Sequence, residues 1–218
     1  MQAEFWLEKW EKGETGFHLE VAHPLLERNW PRLSLAPGSP VFVPLCGKSP
    51  DLVHIRGLGH PVIGIELSRL AIDQFLDEQK LTATRMEMGG MPAFAHDGLR
   101  LVVGDFFRLQ PGDLGAIAAV YDRAALIAMP PAMQTDYVRQ LRELVPETTP
   151  ILLITLDYDP EEMQGPPFAA SFARIQELYG DHYDIILLEQ LDALEDNPTL
   201  RKRGLTWLTE TAWHLDPR

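Results

Sequence analysis

From Pro40 onwards, the sequence alternates short apolar runs with stretches of helical periodicity, and this alternation restricts the fold more than any other feature. Such a pattern is typical of parallel strands that are joined by crossover helices on the faces of one sheet. The runs that we interpret as strands are Val41–Leu45, Val62–Glu66, Leu99–Val103, Ile117–Tyr121 and Ile151–Leu156. The sequence therefore predicts a doubly wound α/β fold.

Two apolar runs near the C-terminus differ from these five because no helical pattern separates them. They read HYDIILLEQLDA and GLTWLTETAWHL, and we expect them to form an antiparallel strand pair. Together the runs predict a mostly parallel, seven-stranded sheet with helices on both faces. The longest loops are then expected at residues 83–97 and 157–170.

The N-terminal part of the chain has a helical pattern and no strand signal. Pro24 can open a second helix there and Pro31 closes it. We interpret residues 1–39 as a helical cap and residues 40–218 as the sheet core. The chain, residues 1–218, is expected to be a single domain, since its length suits one substantial core.

The charge of the chain disfavours two classes of partner. Thirty-two acidic residues against nineteen Lys and Arg give a formal net charge of −13. Nucleic acids and anionic membranes both select for basic surfaces, so neither is an expected partner. The chain also lacks a long apolar segment and the pattern of a secretion signal. We expect a cytoplasmic monomer that acts on a small molecule.

Cysteine and histidine usage argues against a disulfide and a metal site. Cys46 is the single cysteine, and we interpret it as a buried packing residue rather than a nucleophile. The seven histidines are scattered, and His18 and His23 are poorly spaced for ligands on one helix face. We expect no bound metal.

The stretch VFVPLCGKSPDL, residues 41–52, ends in the Gly-Lys-Ser of a phosphate-binding loop. That motif needs a glycine at position 42, which is Phe42, and Pro44 has no backbone N–H to offer a phosphate. A dinucleotide fingerprint fails as well, since Gly57 and Gly59 are followed by Gly64 rather than by a glycine at 62. What remains is a turn after the first strand, at the edge where doubly wound sheets bind ligands.

Glu66 ends the second predicted strand, at the place where nucleotide-binding sheets carry an acid that accepts hydrogen bonds from both ribose hydroxyls. Two neighbouring hydroxyl donors are well matched by the two oxygens of one carboxylate. Taken alone, Glu66 is equally well explained as a solvated acid beside the helix that follows Ser68.

The third and fourth predicted strands also end in polar or aromatic residues. Asp105 or the backbone of Phe106 can accept a hydrogen bond from an adenine amino group, with Phe106 or Phe107 covering the ring. Arg123 follows Asp122 at the end of the fourth strand, where a local ion pair between the two is an equally good interpretation. Since all these strand ends meet at one edge, together they favour an adenosine-containing ligand.

At the level of motifs, the chain resembles the thiopurine S-methyltransferases almost end to end. The matching segments are FWLEKWEKGETGFH, VFVPLCGKSPDL, GHPVIGIELS, VGDFF, YDRAALIAM, TLDYDPEEMQGPPF and LEQLDA. The resemblance implies an enzyme that uses S-adenosylmethionine, releases S-adenosylhomocysteine, and has a Rossmann-like sheet closed by an antiparallel strand pair.

The resemblance also implies a set of cofactor-binding residues. They are Trp10, the backbone of Leu45, Glu66 and Arg123, beside the strand-end candidates Asp105 and Phe106. Without the resemblance, Trp10 would be interpreted as packing the first helix onto the sheet.

On the acceptor side, the resemblance places the pocket walls at Phe17 and at Pro167 and Phe168 of the GPPF loop. Arg201 and Arg203 are both candidates for a second basic residue near the acceptor sulfur. Asp157 and Asp159 follow the fifth strand and are either loop caps, which we favour, or proton acceptors.

The implied reaction moves a methyl group to the sulfur of an aromatic or heterocyclic thiol. We expect Arg123 to orient the acceptor and to stabilise its thiolate, since a guanidinium favours a nearby anion and stays charged itself. The alternatives are a methyltransferase of the same fold that acts on selenium or tellurium species or on a small oxygen or nitrogen acceptor, and a non-catalytic protein that binds the cofactor.

Overall fold

The fold is built around a nine-stranded sheet in a computed structural model that describes residues 3–16 and 18–218. The strands are β1 Val41–Val43, β2 Val62–Glu66, β3 Thr84–Met88, β4 Met91–His96, β5 Leu99–Val103, β6 Ala119–Arg123, β7 Ile151–Asp157, β8 Tyr183–Asp192 and β9 Thr209–Pro217. The helices are α1 Ala3–Glu11, α2 Pro24–Asn29, α3 Asp51–Gly57, α4 Arg69–Glu78, α5 Pro131–Leu144, α6 Phe172–Tyr179 and α7 Pro198–Lys202. The strand order is β3-β4-β5-β2-β1-β6-β7-β9-β8.

The centre of the sheet is parallel, as the apolar runs predicted. β5, β2, β1, β6 and β7 are neighbours and pair in parallel. Every residue of β1 and β2 is buried, because helices cover both faces of this part of the sheet. A doubly wound sheet of this kind places the C-terminal ends of β1, β2, β5 and β6 along one edge.

The predicted bounds of β2 and β5 are confirmed, whereas β1 and β6 differ. β1 ends at Val43 rather than at Leu45, since Pro44 cannot donate to the ladder and Leu45 has a positive φ of 46°. β6 runs from Ala119 to Arg123 rather than from 117 to 121, because Val41 pairs with Ala119. The shift keeps Arg123 within the strand, beside β7.

Residues 83–97, predicted to be a loop, form a β-hairpin instead. β3 and β4 are antiparallel and extend the sheet beyond β5, so the sheet has nine strands and not seven. Gly89 and Gly90 form the turn with φ values of 56° and 68°, which glycine adopts readily and two-residue hairpin turns favour. The first four residues of β3 are exposed, so the apolar signal of a buried strand is missing there.

The C-terminal antiparallel pair is confirmed. β9 lies between β7 and β8 and is antiparallel to both, with a β-bulge between Leu187 and Glu189 of β8. The predicted loop at 157–170 is also observed, since β7 ends at Asp157 and α6 begins at Phe172. This loop leaves β7 at the same edge where β6 ends.

Two large hydrophobic clusters cover the two faces of the sheet. Alternate residues of a strand point to opposite faces, so Phe42 belongs to one cluster while Val41 and Val43 belong to the other. A third, smaller cluster lies apart from these two. Its members are Tyr158, Met163, Ala193, Leu200, Leu205 and Leu208.

A buried hydrogen-bond network anchors the N-terminal segment to the sheet. The His23 N–H donates to Oδ1 of Asp51 over 2.7 Å, and the Tyr121 hydroxyl donates to Oδ2 of the same carboxylate over 2.9 Å. His23 Nδ1 accepts the Leu25 N–H, which leaves Nε2 to donate to Glu210 over 3.1 Å. The network joins the start of α2 to α3, β6 and β9.

Within the described part of the chain, no helix has both the length and the apolarity that crossing a lipid bilayer requires.

Candidate active site

The loop after β1 is shaped by two positive φ angles, 46° at Leu45 and 54° at Gly47. The Cys46 N–H donates to the carbonyl oxygen of Ile65 over 2.9 Å, which holds the loop against β2. Trp10 of α1 is only 4% exposed and lies against this loop. A Cβ at Gly47 would come within 3.2 Å of the indole Cζ2, so glycine lets the indole approach the backbone.

Glu66 is a buried carboxylate, 7% exposed, that accepts two backbone hydrogen bonds. Its Oε2 accepts the Gly47 N–H over 3.0 Å, and its Oε1 accepts the Ser68 N–H over 2.7 Å. Burial raises the pKa of Glu66 to about 7, against the opposing effect of these hydrogen bonds. The interpretation of Glu66 as a solvated acid is therefore wrong, and each oxygen retains a lone pair for a further donor.

Asp122 at the end of β6 is fully buried and does not pair with Arg123. Its Oδ2 accepts the Tyr137 hydroxyl over 2.7 Å, and its Oδ1 accepts the Leu126 N–H over 3.2 Å. Burial raises the pKa of Asp122 to about 6. The alternative of a local ion pair between Asp122 and Arg123 is wrong, because the Asp122 carboxylate points into the core and fixes the turn that follows β6.

Arg123 projects into a pocket at the C-terminal ends of β1 and β6. Among the residues that the structure describes, its guanidinium makes neither a hydrogen bond nor an ion pair. The pocket contains side chains or backbone from three parts of the chain. Its polar and loop residues include His18, Leu45, Gly47, Lys48, Ser49, Asp51, Tyr121 and Arg123.

His18 is a residue of this pocket that the motif analysis did not select. Burial lowers the pKa of its imidazole, and the positive charges of Lys48 and Arg123 lower it further, while Glu78 and Glu20 oppose the shift. Lys48 is neutralised in part by Glu78, 2.5 Å from its Nζ. The adjacent Phe17 of TGFH, which the motif analysis did select, was the available signal in the sequence. Phe17 itself lies outside the described residues.

Phe106 follows β5, the third of the strands predicted from the sequence, and it is more deeply buried than the adjacent Phe107. Its ring is 4% exposed and packs between Phe42 and Tyr137, with ring centroids 6.4 Å and 5.0 Å away. The expectation that the Phe106 ring covers a ligand is revised accordingly, and its backbone remains the candidate. Asp105 Oδ1 accepts the Phe107 N–H over 2.9 Å, so this carboxylate caps the 3₁₀ turn, and the Phe107 ring is only partly buried.

The loop that carries Pro167 and Phe168 lies next to the turn after Arg123. The Phe168 N–H donates to the carbonyl oxygen of Ile127 over 2.7 Å, four residues beyond Arg123 in the chain. The structure thus brings the GPPF loop and the Arg123 pocket to the same edge of the sheet.

The two candidate C-terminal arginines have different partners. Arg203 donates to the backbone of the GPPF loop, whereas Arg201 pairs with Glu195 over 2.8 Å. Asp159 Oδ1 accepts the Glu161 N–H over 2.9 Å, as a loop cap does. Burial raises the pKa of Asp157, which is only half-buried at the end of β7.

The fold is that of S-adenosylmethionine-dependent methyltransferases. It superposes on such an enzyme from Anabaena variabilis with a TM-score of 0.65 and 15% identity, over 99% of this chain and 95% of that chain. It also superposes on geranyl diphosphate C-methyltransferase from Streptomyces coelicolor with a TM-score of 0.63 and 12% identity, over 99% and 98% of the two chains.

The thiopurine S-methyltransferase family model matches residues 1–218, and the chain belongs to this family. It is 49% identical to the thiopurine S-methyltransferase of Methylococcus capsulatus over 217 residues, which cover 99% of this chain and 97% of the relative. For the thiopurine S-methyltransferase of Nitrosospira multiformis the identity is 43% over 218 residues, with 100% and 99% covered. The chain is a thiopurine-type methyltransferase that uses S-adenosylmethionine, and the alternative acceptors are not favoured.

Proposed function

We propose that the cofactor lies across the C-terminal ends of β1, β2, β5 and β6, and that the acceptor thiol meets it at Arg123. The observation that carries this proposal is the Arg123 guanidinium, which has no hydrogen-bond or ion-pair partner among the described residues, in a pocket whose loop is tied to the buried Glu66 carboxylate. A cation without an anionic partner suits either the carboxylate of the cofactor or a thiolate. The acidic Glu66 and the basic Arg123 thus fit opposite ends of one ligand in which adenosine is joined to an amino acid.

In this proposal five residues hold the cofactor together with Arg123. Glu66 accepts hydrogen bonds from the ribose hydroxyls through its remaining lone pairs, and Trp10 presents an aromatic face, which attracts a sulfonium cation. The adenine contacts fall to Asp105 and the backbone of Phe106. The backbone of Leu45 contributes a polar contact where its positive φ turns the chain away from β1.

When bound, S-adenosylmethionine supplies an electrophilic methyl group on a positively charged sulfur. The chain's own task is to hold the two reactants in line and close together, which is worth roughly 7–11 kcal/mol in well-oriented reactions. Arg123 lowers the pKa of an acceptor thiol by favouring its anion, so that more thiolate is present at neutral pH. The thiol proton leaves to solvent or to a neutral group of the pocket.

We further propose that Phe17, Pro167 and Phe168 form the wall of the acceptor pocket. Pro167 and Phe168 offer an apolar surface next to the turn after Arg123, which suits a flat aromatic or heterocyclic thiol. The same proposal makes residues 1–39 a cap over the cofactor and residues 40–218 the core of a single domain.

Ligand-dependent stabilisation tests the cofactor assignment. S-adenosylhomocysteine should raise the melting temperature, whereas NAD and ATP should not, because only a ligand that binds the native state stabilises it. In the matching activity assay, an aromatic thiol should be methylated faster than its oxygen and nitrogen analogues. Equal stabilisation by ATP, or equal rates for the three acceptor atoms, would contradict the proposal.

We also propose that the enzyme acts as a monomer in the cytoplasm, without nucleic acid partners. The net charge of −13 supports the last point, since it repels a polyanion. Light scattering after size exclusion should give a mass near 24.6 kDa, and a mass of twice that value would contradict a monomer.

A further inference from the structure

Arg203 joins two parts of the chain that are distant in sequence. It follows α7 in the connection between β8 and β9, and both of its terminal nitrogens donate to the GPPF loop. Nη1 donates to the carbonyl oxygen of Pro166 over 2.7 Å, and Nη2 donates to that of Gly165 over 3.2 Å. The two carbonyls thus accept from the two prongs of one planar guanidinium.

The same loop is fixed at its other residues as well. The Tyr158 hydroxyl donates to the carbonyl oxygen of Pro167 over 2.6 Å, and the Phe168 N–H donates to Ile127 over 2.7 Å. Each residue from Gly165 to Phe168 therefore has one backbone group that is hydrogen-bonded to a residue outside this four-residue segment. Arg203 holds the first two, Tyr158 the third and Ile127 the fourth. The loop is fastened from the end of β7, from the turn after β6 and from the β8–β9 connection.

A small core lies beneath these contacts. The third hydrophobic cluster combines Tyr158 and Met163 of the loop with Leu200, Leu205 and Leu208 around α7. Two bonds from Thr206 to the Glu162 carboxylate, of 2.9 Å and 2.5 Å, join the same two segments. The loop and the β8–β9 connection consequently pack as one unit, with Arg203 on its exposed side.

The shape of the loop also leaves little freedom to Phe168. Gly165 has a φ of 67°, and a Cβ placed there would come within 2.5 Å of Cδ1 of Phe168. The Phe168 ring therefore lies directly over Gly165, whose carbonyl oxygen Arg203 holds. A displacement of this carbonyl would move the ring.

We propose that Arg203 is a positioning residue for acceptor specificity, which fixes the loop that carries Pro167 and Phe168 and does not itself touch the acceptor. This rests on the proposed function, in which these two residues form the acceptor wall. The physical basis is the forked geometry of arginine, since a lysine keeps the charge but cannot satisfy two carbonyls in the same way. Arg203 then acts on the acceptor through the loop backbone.

Acceptor kinetics of Arg203→Met and Arg203→Lys test the proposal, with Arg201→Met as the matched control. Arg201 lies two residues away, is exposed, and among the described residues its guanidinium pairs with Glu195 and not with the GPPF loop, so it is withdrawn as a candidate near the acceptor. With 6-mercaptopurine as the acceptor, both Arg203 variants should raise KM about five-fold or more while kcat stays within about two-fold. The affinity for S-adenosylhomocysteine and the kinetics of Arg201→Met should stay at wild-type values.

A second readout reports on the loop itself. In Arg203→Met the backbone amide of Phe168, which donates to Ile127, should exchange its hydrogen faster, while amides of β2 keep their protection. Tyr158→Phe removes the bond to Pro167 from the other side and should shift KM in the same direction.

The following results would overturn the proposal, and they also distinguish failure of the Arg203 role from failure of the acceptor wall. Rescue of KM by lysine, or a defect that grows as the pH falls below the thiol pKa, would show that Arg203 acts by charge on the acceptor. A normal KM in Arg203→Met together with a raised KM in Phe168→Ala would support the acceptor wall but contradict the positioning role of Arg203. A normal KM in Phe168→Ala would contradict the acceptor wall of the proposed function as well.

Discussion

At the scale of single residues, the site depends on buried carboxylates whose hydrogen bonds come from the backbone and from tyrosine. Glu66 accepts two backbone N–H groups, and Asp122 accepts one together with the Tyr137 hydroxyl. Both carboxyl groups have a raised pKa because burial disfavours their charged form. Glu66 holds the loop after β1, where Leu45 is a proposed cofactor contact, and Asp122 holds the turn after β6, next to Arg123.

The buried Glu66 predicts a pH dependence of stability. Its pKa is about 7 in the folded protein against 4.5 as the ordinary value, so the folded state binds more protons between these pH values. Stability from Glu66 is therefore present at low pH and decreases as the pH rises through 7. Relative to Glu66→Gln, the free energy of unfolding of the wild type should fall by about 3 kcal/mol between pH 4.5 and 8, measured by urea denaturation. Parallel curves for the two proteins would contradict the shift.

Two buried tyrosines provide a matched pair of substitutions. Tyr137→Phe removes the hydroxyl that donates to Asp122 and should destabilise the fold by about 1–3 kcal/mol, since it leaves a buried acceptor underpaired. The hydroxyl of Tyr179 is buried and has no hydrogen-bond partner among the described residues. Tyr179→Phe should therefore leave the unfolding free energy unchanged or raise it. Equal losses in the two variants would show that bulk, and not the hydrogen bond, matters at these positions.

Cys46 is expected to matter for packing alone. Burial and the nearby Glu66 raise the pKa of its thiol, which stays protonated, and its Sγ lies 2.7 Å from where a Cβ would be at Gly64. Cys46→Ala should keep kcat/KM within a few-fold of the wild type in a steady-state assay. Complete loss of activity in a folded variant would make the thiol a participant in the reaction.

At the scale of elements, the N-terminal helices are attached to the sheet in two different ways. α1 contributes Trp10, whose indole lies on the loop at Gly47, while α2 is fixed by the hydrogen bonds of His23 to Asp51 and Glu210. The first attachment lies at the proposed cofactor site and the second lies in a buried network beneath it. Loss of α1 would therefore remove a proposed binding surface without removing the anchor of α2.

Deletion of residues 1–20 is predicted to abolish binding of S-adenosylhomocysteine and to leave the core folded. Trp10→Ala in the full chain should weaken the same binding without loss of secondary structure. Titration calorimetry and circular dichroism measure the two properties separately. Full affinity in the truncated protein would show that the cap does not cover the cofactor.

The elements also show which parts of the fold could be predicted from the sequence. β2 and β5 were predicted with their bounds because both are short, largely apolar runs between turn residues: β2 is buried throughout, and Arg100 is the one exposed residue within β5. The hairpin of β3 and β4 was missed, since β3 is exposed and its sequence, TRMEM, lacks a buried strand pattern. Its Gly89-Gly90 turn was the one local signal available.

For the site, the sequence identified strand-end residues but not their partners. A pairing of Asp122 with the adjacent Arg123 was one of two interpretations that the sequence left open, and in the structure Asp122 accepts the hydroxyl of Tyr137 from α5 instead. Arg203 and the GPPF loop are 37 residues apart in sequence, and nothing local to either indicates their contact. Such contacts depend on tertiary packing, which periodicity and motif spacing do not encode.

At the scale of the whole molecule, one edge of the sheet carries the proposed cofactor crevice, the Arg123 guanidinium, which is unpaired within the described residues, and the loop that carries Pro167 and Phe168. The crevice follows from the doubly wound topology, and the loop is held there by Ile127, Tyr158 and Arg203. Membership of the thiopurine S-methyltransferase family fixes the reaction. The central claim that remains to be measured is that Arg123 favours the thiolate of the acceptor.

The most direct test is the pH dependence of kcat, measured at saturating cofactor and thiol, for Arg123→Met and the wild type with one aromatic thiol, because kcat reports the ionisation of the bound acceptor. Two pH units below the pKa of the thiol bound to the variant, the variant should lose roughly 10- to 100-fold in kcat, because a nearby guanidinium lowers an acidic pKa by roughly 1–3 units. Above the thiol pKa, where the acceptor is already ionised, the loss should shrink below about ten-fold. A loss that is the same at every pH, or wild-type activity throughout, would contradict the account.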